Sequence, residues 1–214
     1  MAELQTSEKK LTVKIVYYGP ALSGKTTNLM QLHDIILPRK RGELMTLETS
    51  GDRTLFFDLL PLMGKTSEGY KIKIKLFTVP GQVAHDATRK AVLSRTDGVV
   101  FVADSQLTQS VNNSISFENL EKNAGRVGID FDTLPLVVQY NKRDLKDIID
   151  EKEVRGLWKQ THIPVQFSTA IHGQGVKETF VSVLKEVYRN LNQKLNMESG
   201  LKITEDEFLS VANM

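Results

Sequence analysis

Leu11–Thr26 reads LTVKIVYYGPALSGKT. Leu11–Tyr18, rich in β-branched and aromatic residues, predicts a strand. The loop after it, Gly19-Pro-Ala-Leu-Ser-Gly24-Lys25-Thr26, fits G-x-x-x-x-G-K-[ST], and a helix follows to about Leu37. Each residue type has a physical reason to be there. Glycines let backbone N–H groups wrap an anion without side-chain clash, and the helix behind aims its positive end at the same place. A lysine here reaches the β- and γ-oxygens of a nucleotide, and the hydroxyl after it ligates Mg²⁺. Gly19, Ser23, Gly24, Lys25, Thr26 and Thr27 are therefore the candidate phosphate-binding residues.

Working outward, Arg53–Leu60 (RTLFFDLL) predicts a strand ending at Pro61, after an exposed loop over 43–52. Tyr70–Val79 alternates Lys71, Lys73 and Lys75 with Ile72, Ile74 and Leu76, the mark of a half-solvated, antiparallel-type strand near a sheet edge. Gly98–Ala103 (GVVFVA) and Leu134–Gln139 (LPLVVQ) are continuous apolar runs, as buried parallel strands require. Ile163–Ser168 is a third and weaker one. Helices are expected over about 83–95, 113–126, 151–160 and 175–197. Strands alternating with helices predict an α/β fold with a mostly parallel, doubly wound, six-stranded sheet and one antiparallel edge strand. The ligand crevice of such a sheet lies at the carboxyl ends of its strands.

Two more loops fall at that edge. Asn141-Lys142-Arg143-Asp144 follows a buried strand. Asp144 can accept both the N1–H and the exocyclic amine of guanine, whereas adenine offers no such donor pair and would leave the carboxylate unpaired. Asn141 is expected to brace the loop and to face the base from another side, and Lys142 is counted with it among the nucleotide-binding residues. Ser168-Thr-Ala170 fits a last base loop, with the Ala170 N–H reaching the guanine oxygen. The third loop belongs to Leu76–Gln82, LFTVPGQ. In a GTP-hydrolysing switch protein this turn opens with an acid, as Asp-x-x-Gly-Gln; here Thr78 holds that place, ahead of Gly81 and Gln82.

The totals narrow the classes. The 214 residues carry 28 basic and 26 acidic side chains, a net charge of +2, too small to argue for nucleic-acid binding. The absence of cysteine excludes a disulfide framework and Cys-based zinc sites, and accords with a cytoplasmic protein. No apolar run approaches a bilayer span. Ala2 and the final Val-Ala-Asn-Met give no acylation or prenylation signal, so no direct lipid anchor is expected. Residues 1–10 are polar and expected to be disordered, 11–197 form the nucleotide-binding domain, and 198–214 form an appendage. In that appendage Gly200 ends the long helix, Thr204 and Glu207 make a capping box, and Ile203 with Phe208 a hydrophobic staple, which predicts a short helix over about 205–212, packed on its own domain or, as the alternative, binding a partner.

The phosphate loop at 19–26, Gly81-Gln82, Asn141–Asp144 and Ser168–Ala170, in this order, resemble the Ras-like small GTPases, P-loop NTPases of the small G-protein fold. More narrowly, Gly19–Thr27 (GPALSGKTT), Arg53–Pro61 (RTLFFDLLP), Thr78–Gln82 (TVPGQ), Gly98–Ser105 (GVVFVADS) and Asn141–Leu145 (NKRDL) resemble the bacterial MglA family of polarity and gliding-motility GTPases. The resemblance covers about residues 10–195 and makes Thr78 a mark of that group. It implies binding of GTP, GDP and Mg²⁺, slow hydrolysis, effectors that dock the GTP state, recruitment to cell poles or membrane by partners, and an MglB-like roadblock-domain dimer as activator.

Within that frame Gln82 is the candidate for orienting the attacking water. Arg53 is a candidate arginine finger in cis, a group worth about 10³–10⁵ in rate. Thr54 is preferred over Thr46 and Thr49 as the switch threonine that completes the Mg²⁺ shell, because the family-like segment begins beside it. Asp58 interrupts an apolar stretch and needs a partner if buried. It either replaces the carboxylate lost at Thr78 or caps an exposed strand face, and the sequence leaves both open. Asp104 reads as loop structure. Phe56, Phe57, Leu59 and Leu60 read as core or as a partner patch. The alternative to a hydrolysing switch is a nucleotide-gated binding module with negligible turnover; a P-loop ATP enzyme is disfavoured by Asn141–Asp144.

Overall fold

The computed structural model describes residues 2–48, 56–81 and 86–213. Its eight strands are β1 (Glu3–Gln5), β2 (Lys10–Tyr18), β3 (Met45–Glu48), β4 (Phe56–Lys65), β5 (Lys71–Thr78), β6 (Gly98–Asp104), β7 (Leu136–Asn141) and β8 (Val165–Phe167). The helices are α1 (Lys25–Ile35), α2 (Asp86–Leu93), α3 (Ser110–Arg126), α4 (Glu151–Trp158), α5 (Val176–Leu195) and α6 (Glu205–Leu209). The order β3-β4-β5-β2-β6-β7-β8 forms one sheet, with β1 paired to β2 off that path. Pairing from β5 through β8 is parallel, while β4 runs antiparallel to both β3 and β5. The six expected strands are all there.

Two short strands add to them. Glu3–Gln5, where a disordered end is expected, pairs antiparallel with Lys10–Thr12. Met45–Glu48, expected as exposed loop, pairs with Phe56–Leu59. Each alternates apolar and polar residues too briefly to announce a strand, and each is held by main-chain pairing with a longer neighbour. β4 also runs past Pro61. Its carbonyl accepts from the Gly42 N–H, on the side away from β5. The nitrogen of a strand residue points to the same side as its carbonyl, so the missing N–H costs no bond to β5.

The core lies on both faces of the sheet. Every residue of β6 and β7 is buried. On one face α1 and α5 cover Val13, Ile15, Tyr17, Ile72, Ile74 and Val100; on the other, Val92, Leu93, Leu120, Ala124 and Val154 of the remaining helices cover Val16, Val99, Phe101 and Val138. Helix α5 buries Phe180, Val183, Leu184, Val187 and Leu191, the i, i+3, i+4 stripe of a core-facing helix.

That helix stops earlier than expected. Asn196 (φ 49°), and not Gly200, takes the left-handed cap, a role asparagine fills because its short polar side chain tolerates that conformation. The chain then turns back. Thr204 caps α6 through a capping box with Glu207. Phe208 and Ile203 are fully buried, the Tyr188 hydroxyl donates to the Ile203 carbonyl at 2.9 Å, and Val211 lies over Gly64 of β4, where a Cβ would meet its Cγ2 at 2.8 Å. Glu207 accepts from the Ser67 N–H and hydroxyl in the β4–β5 turn, and Lys40 donates to the Ser210 carbonyl. The appendage is thus packed into the core on the α1 and α5 face of the sheet.

Candidate functional site

Strand β2 ends at Tyr18, and the chain turns through Gly19 (φ 146°), Leu22 (φ 61°) and Gly24 (φ 102°) into α1. Two of these turns leave no room for a side chain. A Cβ on Gly19 would lie 2.2 Å from the Val102 carbonyl oxygen, and one on Gly24 would lie 2.2 Å from Asn141 Nδ2. Because Gly24 has no side chain to cap α1, its first N–H groups face outward with the positive end of the helix.

Lys25 opens that helix almost fully buried, its ammonium donating to the carbonyls of Gly19 and Pro20. Burial lowers its pKa to about 7, the nearby Arg89 cation works the same way, and Asp58 opposes both. Thr26 is exposed and its hydroxyl donates to Asp58 Oδ2 at 2.6 Å. Thr46 donates to Asp58 Oδ1 at 3.0 Å and Thr78 to Oδ2 at 3.0 Å. The Asp58 N–H in turn donates to Thr78 Oγ1. Asp58 is 7% exposed, so this is a buried carboxylate held by three hydroxyls from three segments.

Sheet register explains the meeting. Thr46 is the cross-strand partner of Asp58, and the next pair along β4 and β5 is Leu59 with Phe77. Thr78 therefore stands beside Asp58, and both open into a cleft of about 350 Å³ lined by Gly24, Lys25, Thr26, Thr27, Val79 and Gly81. Gly81 sits against the phosphate loop, where a Cβ would be 2.3 Å from Ala21 Cα. The donors in the cleft are hydroxyl and carboxylate oxygens, with one carboxylate. That set suits Mg²⁺, which takes one or two carboxylates alongside substrate phosphates. Thr26 and Asp58 are the side chains that would hold it. Among the described residues no cluster of three or more His, Cys, Asp or Glu offers a rival site.

At the base end, Asn141 lies buried between three loops. Its Nδ2 donates to the Ser23 carbonyl at 2.8 Å, and its Oδ1 accepts from the Ser168 hydroxyl and the Ala170 N–H, each at 2.9 Å. The Ala170 N–H expected to reach a guanine oxygen is thus directed at Asn141, because the buried amide oxygen needs that donor. Lys142 (φ 68°) has its ammonium 2.6 Å from Asp104 Oδ2. That ion pair ties the loop after β6 to the loop after β7, and Asp104 also accepts from Gln106. Asp144 is exposed beside them. Arg53, Thr54, Thr49 and Gln82 lie outside the described residues.

Arg89 is the residue that pattern reading passes over. A cation on a surface helix normally reads as solvated, yet Arg89 is 0% exposed. The available signal is its register: with Thr88, Val92 and Leu93 it forms the buried face of α2.

A family model described as the ADP-ribosylation factor family matches residues 1–187. The chain is also 44% identical, over 193 residues, to the mutual gliding-motility protein MglA of Myxococcus xanthus (strain DK1622); the match covers 90% of this chain and 99% of that protein.

Proposed function

The chain belongs to the ADP-ribosylation factor family of small GTPases, and on that premise we propose that it is a GTP-driven switch controlling gliding motility or cell polarity. As a member it binds GTP and hydrolyses it to GDP and phosphate. The motility role rests on the gliding-motility relative.

One observation carries the reading of the site: Thr26 of the phosphate loop and Asp58 of β4 share a hydrogen bond in the same cleft as Lys25, Thr78 and Gly81. In the proposal, the outward N–H groups of Gly24–Thr27 and the Lys25 ammonium take the phosphates, and Asp144 takes the guanine edge, with the loop at 168–170 held beside it through Asn141. Bound Mg²⁺ would neutralise charge developing on the phosphates. Thr26 and Asp58 would hold the ion, with Asp58 supplying the carboxylate that Thr78 cannot. Thr78 would keep Asp58 aligned through its reciprocal hydrogen bond. Gln82 would orient water, Arg53 would stabilise transferring charge, and Thr54 would complete the metal shell. The activator is proposed to be an MglB-like roadblock-domain dimer, with effectors docking the GTP state and carrying the protein to cell poles or membrane. Among the described residues no helix is long and apolar enough to cross a membrane.

Single-turnover phosphate release from GTP and from ATP, with and without a roadblock-domain dimer, tests the reading. GTP-selective release that the dimer accelerates is expected. Equal use of ATP would sink the guanine assignment. Tight GTP binding without release under either condition would leave a nucleotide-gated binding module.

A further inference from the structure

Arg89 is the largest fully buried side chain in the described structure, and no carboxylate pairs with it there. Asp86, three residues earlier on α2, feels its charge, but the Asp86 oxygens are bonded to Asn119, Asn123 and Arg126. Each guanidinium nitrogen has a separate neutral acceptor. Nε donates to the Tyr18 hydroxyl at 3.0 Å, Nη2 to the Ser116 hydroxyl at 3.0 Å, and Nη1 to the Gly81 carbonyl at 3.2 Å. The guanidinium also stacks over the Tyr18 ring, 4.4 Å from its centre.

A residue needed only to fill this space would be apolar. Taking a charge out of water is expensive without an opposite charge, and apolar replacements of buried ions are often neutral or stabilising. What an apolar side chain cannot do is join three acceptors in a rigid plane. Two of the three belong to parts that matter for the nucleotide. Tyr18 is the residue before the phosphate loop. Ser116 is on α3. Gly81 abuts Ala21 of the phosphate loop, and its carbonyl carbon is bonded to the nitrogen of Gln82.

We propose that Arg89 is a positioning residue for hydrolysis: its guanidinium holds the Gly81 carbonyl against the phosphate loop and thereby sets where Gln82 meets the attacking water, with β2 and α3 as the fixed points. The inference rests on the reading above in which Gln82 orients that water. Lysine keeps the charge but lacks the fork, so the fork is what Arg89→Lys removes.

The experiment is single-turnover hydrolysis at saturating GTP, paired with GDP and GTP affinities, for Arg89→Lys, Gln82→Ala and the double variant. Arg89→Lys is expected to slow hydrolysis at least tenfold and to leave both affinities within threefold. In the Gln82→Ala background it is expected to add less than a further twofold, because the two changes break one arrangement. A normal rate in Arg89→Lys, or full additivity with Gln82→Ala, overturns the inference. A normal rate in Gln82→Ala overturns instead the reading of Gln82, and with it any route through that residue. If Arg89→Lys does not fold, Ser116→Ala, which removes one anchor of the buried guanidinium, decides: about threefold slower hydrolysis supports the inference, and an unchanged rate overturns it.

Discussion

The Thr26 hydroxyl and the Asp58 carboxylate, 32 residues apart in the chain, are 2.6 Å apart in the fold. A hydroxyl that donates keeps its own lone pairs, so the Thr26 and Asp58 oxygens still present acceptor positions toward the cleft. Asp58→Asn keeps the shape and removes the charge. Its affinity for GTP in the presence of Mg²⁺ is expected to fall at least tenfold, about 1.4 kcal/mol, with affinity in EDTA within threefold of the starting protein. Fluorescent-nucleotide titration with and without chelator reads this directly; an unchanged response to Mg²⁺ would remove Asp58 from the metal site.

Restoring the acid at the turn should harm the protein. Thr78 Oγ1 lies 3.0 Å from Asp58 Oδ2, so Thr78→Asp would set two carboxylates face to face, an arrangement in which both cannot ionise freely. The free protein is expected to melt at lower temperature, with part of the loss recovered by adding Mg²⁺. Equal or higher melting without Mg²⁺ would mean that the two sites do not share one electrostatic environment.

Asn141→Ala should act on folding and binding together. It strands the Ala170 N–H and the Ser23 carbonyl, both on buried residues. The expected destabilisation is at least about 2 kcal/mol, since each buried unsatisfied group costs about 1–3. GDP and GTP affinities should fall in parallel, because Asn141 links the phosphate and base loops. Denaturant unfolding with nucleotide competition would show it; a change in one nucleotide alone would contradict the brace.

Stability should also rise with alkaline pH through Lys14. Its half-buried ammonium donates to the Ser94 carbonyl and sits over the Phe77 ring. Burial lowers its pKa to about 8; Lys75, its cross-strand partner, adds to that, and Asp97 opposes it. An unfolded lysine titrates near 10.4. Between these values the unfolded chain binds more protons than the folded one, so stability increases with pH across that window, and below it the charged form is a standing cost. Lys14→Met is expected to be more stable than the parent at pH 7, the gap narrowing toward pH 10. Parallel melting curves at pH 7 and 9.5 would check this, and a constant gap would refute it.

Phe208→Ala tests the appendage. The ring is fully buried, 5.7 Å from Tyr188 centre to centre. Emptying such a site costs about 3–5 kcal/mol. Hydrolysis per folded molecule should be unchanged. A loss below 1 kcal/mol by denaturant unfolding would mean that residues 198–214 are dispensable to the fold.

What could be read from the sequence follows from where its physics is local. The buried strands at 98–104 and 136–141 announce themselves because continuous apolar runs suit a sheet covered on both faces. The loops at 19–26 and 141–144 announce themselves because phosphate and guanine demand particular atoms at fixed spacing. The strands at 3–5 and 45–48 do not, since their order comes from a neighbour's unpaired edge. Arg89 does not either: its burial depends on acceptors from β2, α3 and the Gly81 turn, which the fold alone brings within reach. The nearness of Asp58 to Thr26 lies between these cases. An acid amid apolar residues signals that it needs a partner, and only the fold says which: the register of β3, β4 and β5 brings Thr46 and Thr78, and the placing of α1 brings Thr26.

The packing of the appendage has a consequence for how the protein is made. Ile203, Phe208, Val211 and Ala212 complete a core whose other members include Leu11, Ile72 and Tyr188. Ribosomes deliver the chain from its N-terminus, and domains tend to fold in that order. Residues 203–212 leave the ribosome after every strand of the sheet. Until they do, the stretch of α5 around Tyr188 and the β4–β5 hairpin around Gly64 lack the cover that this segment gives them. The nascent protein therefore carries a temporary apolar patch that its own late segment seals.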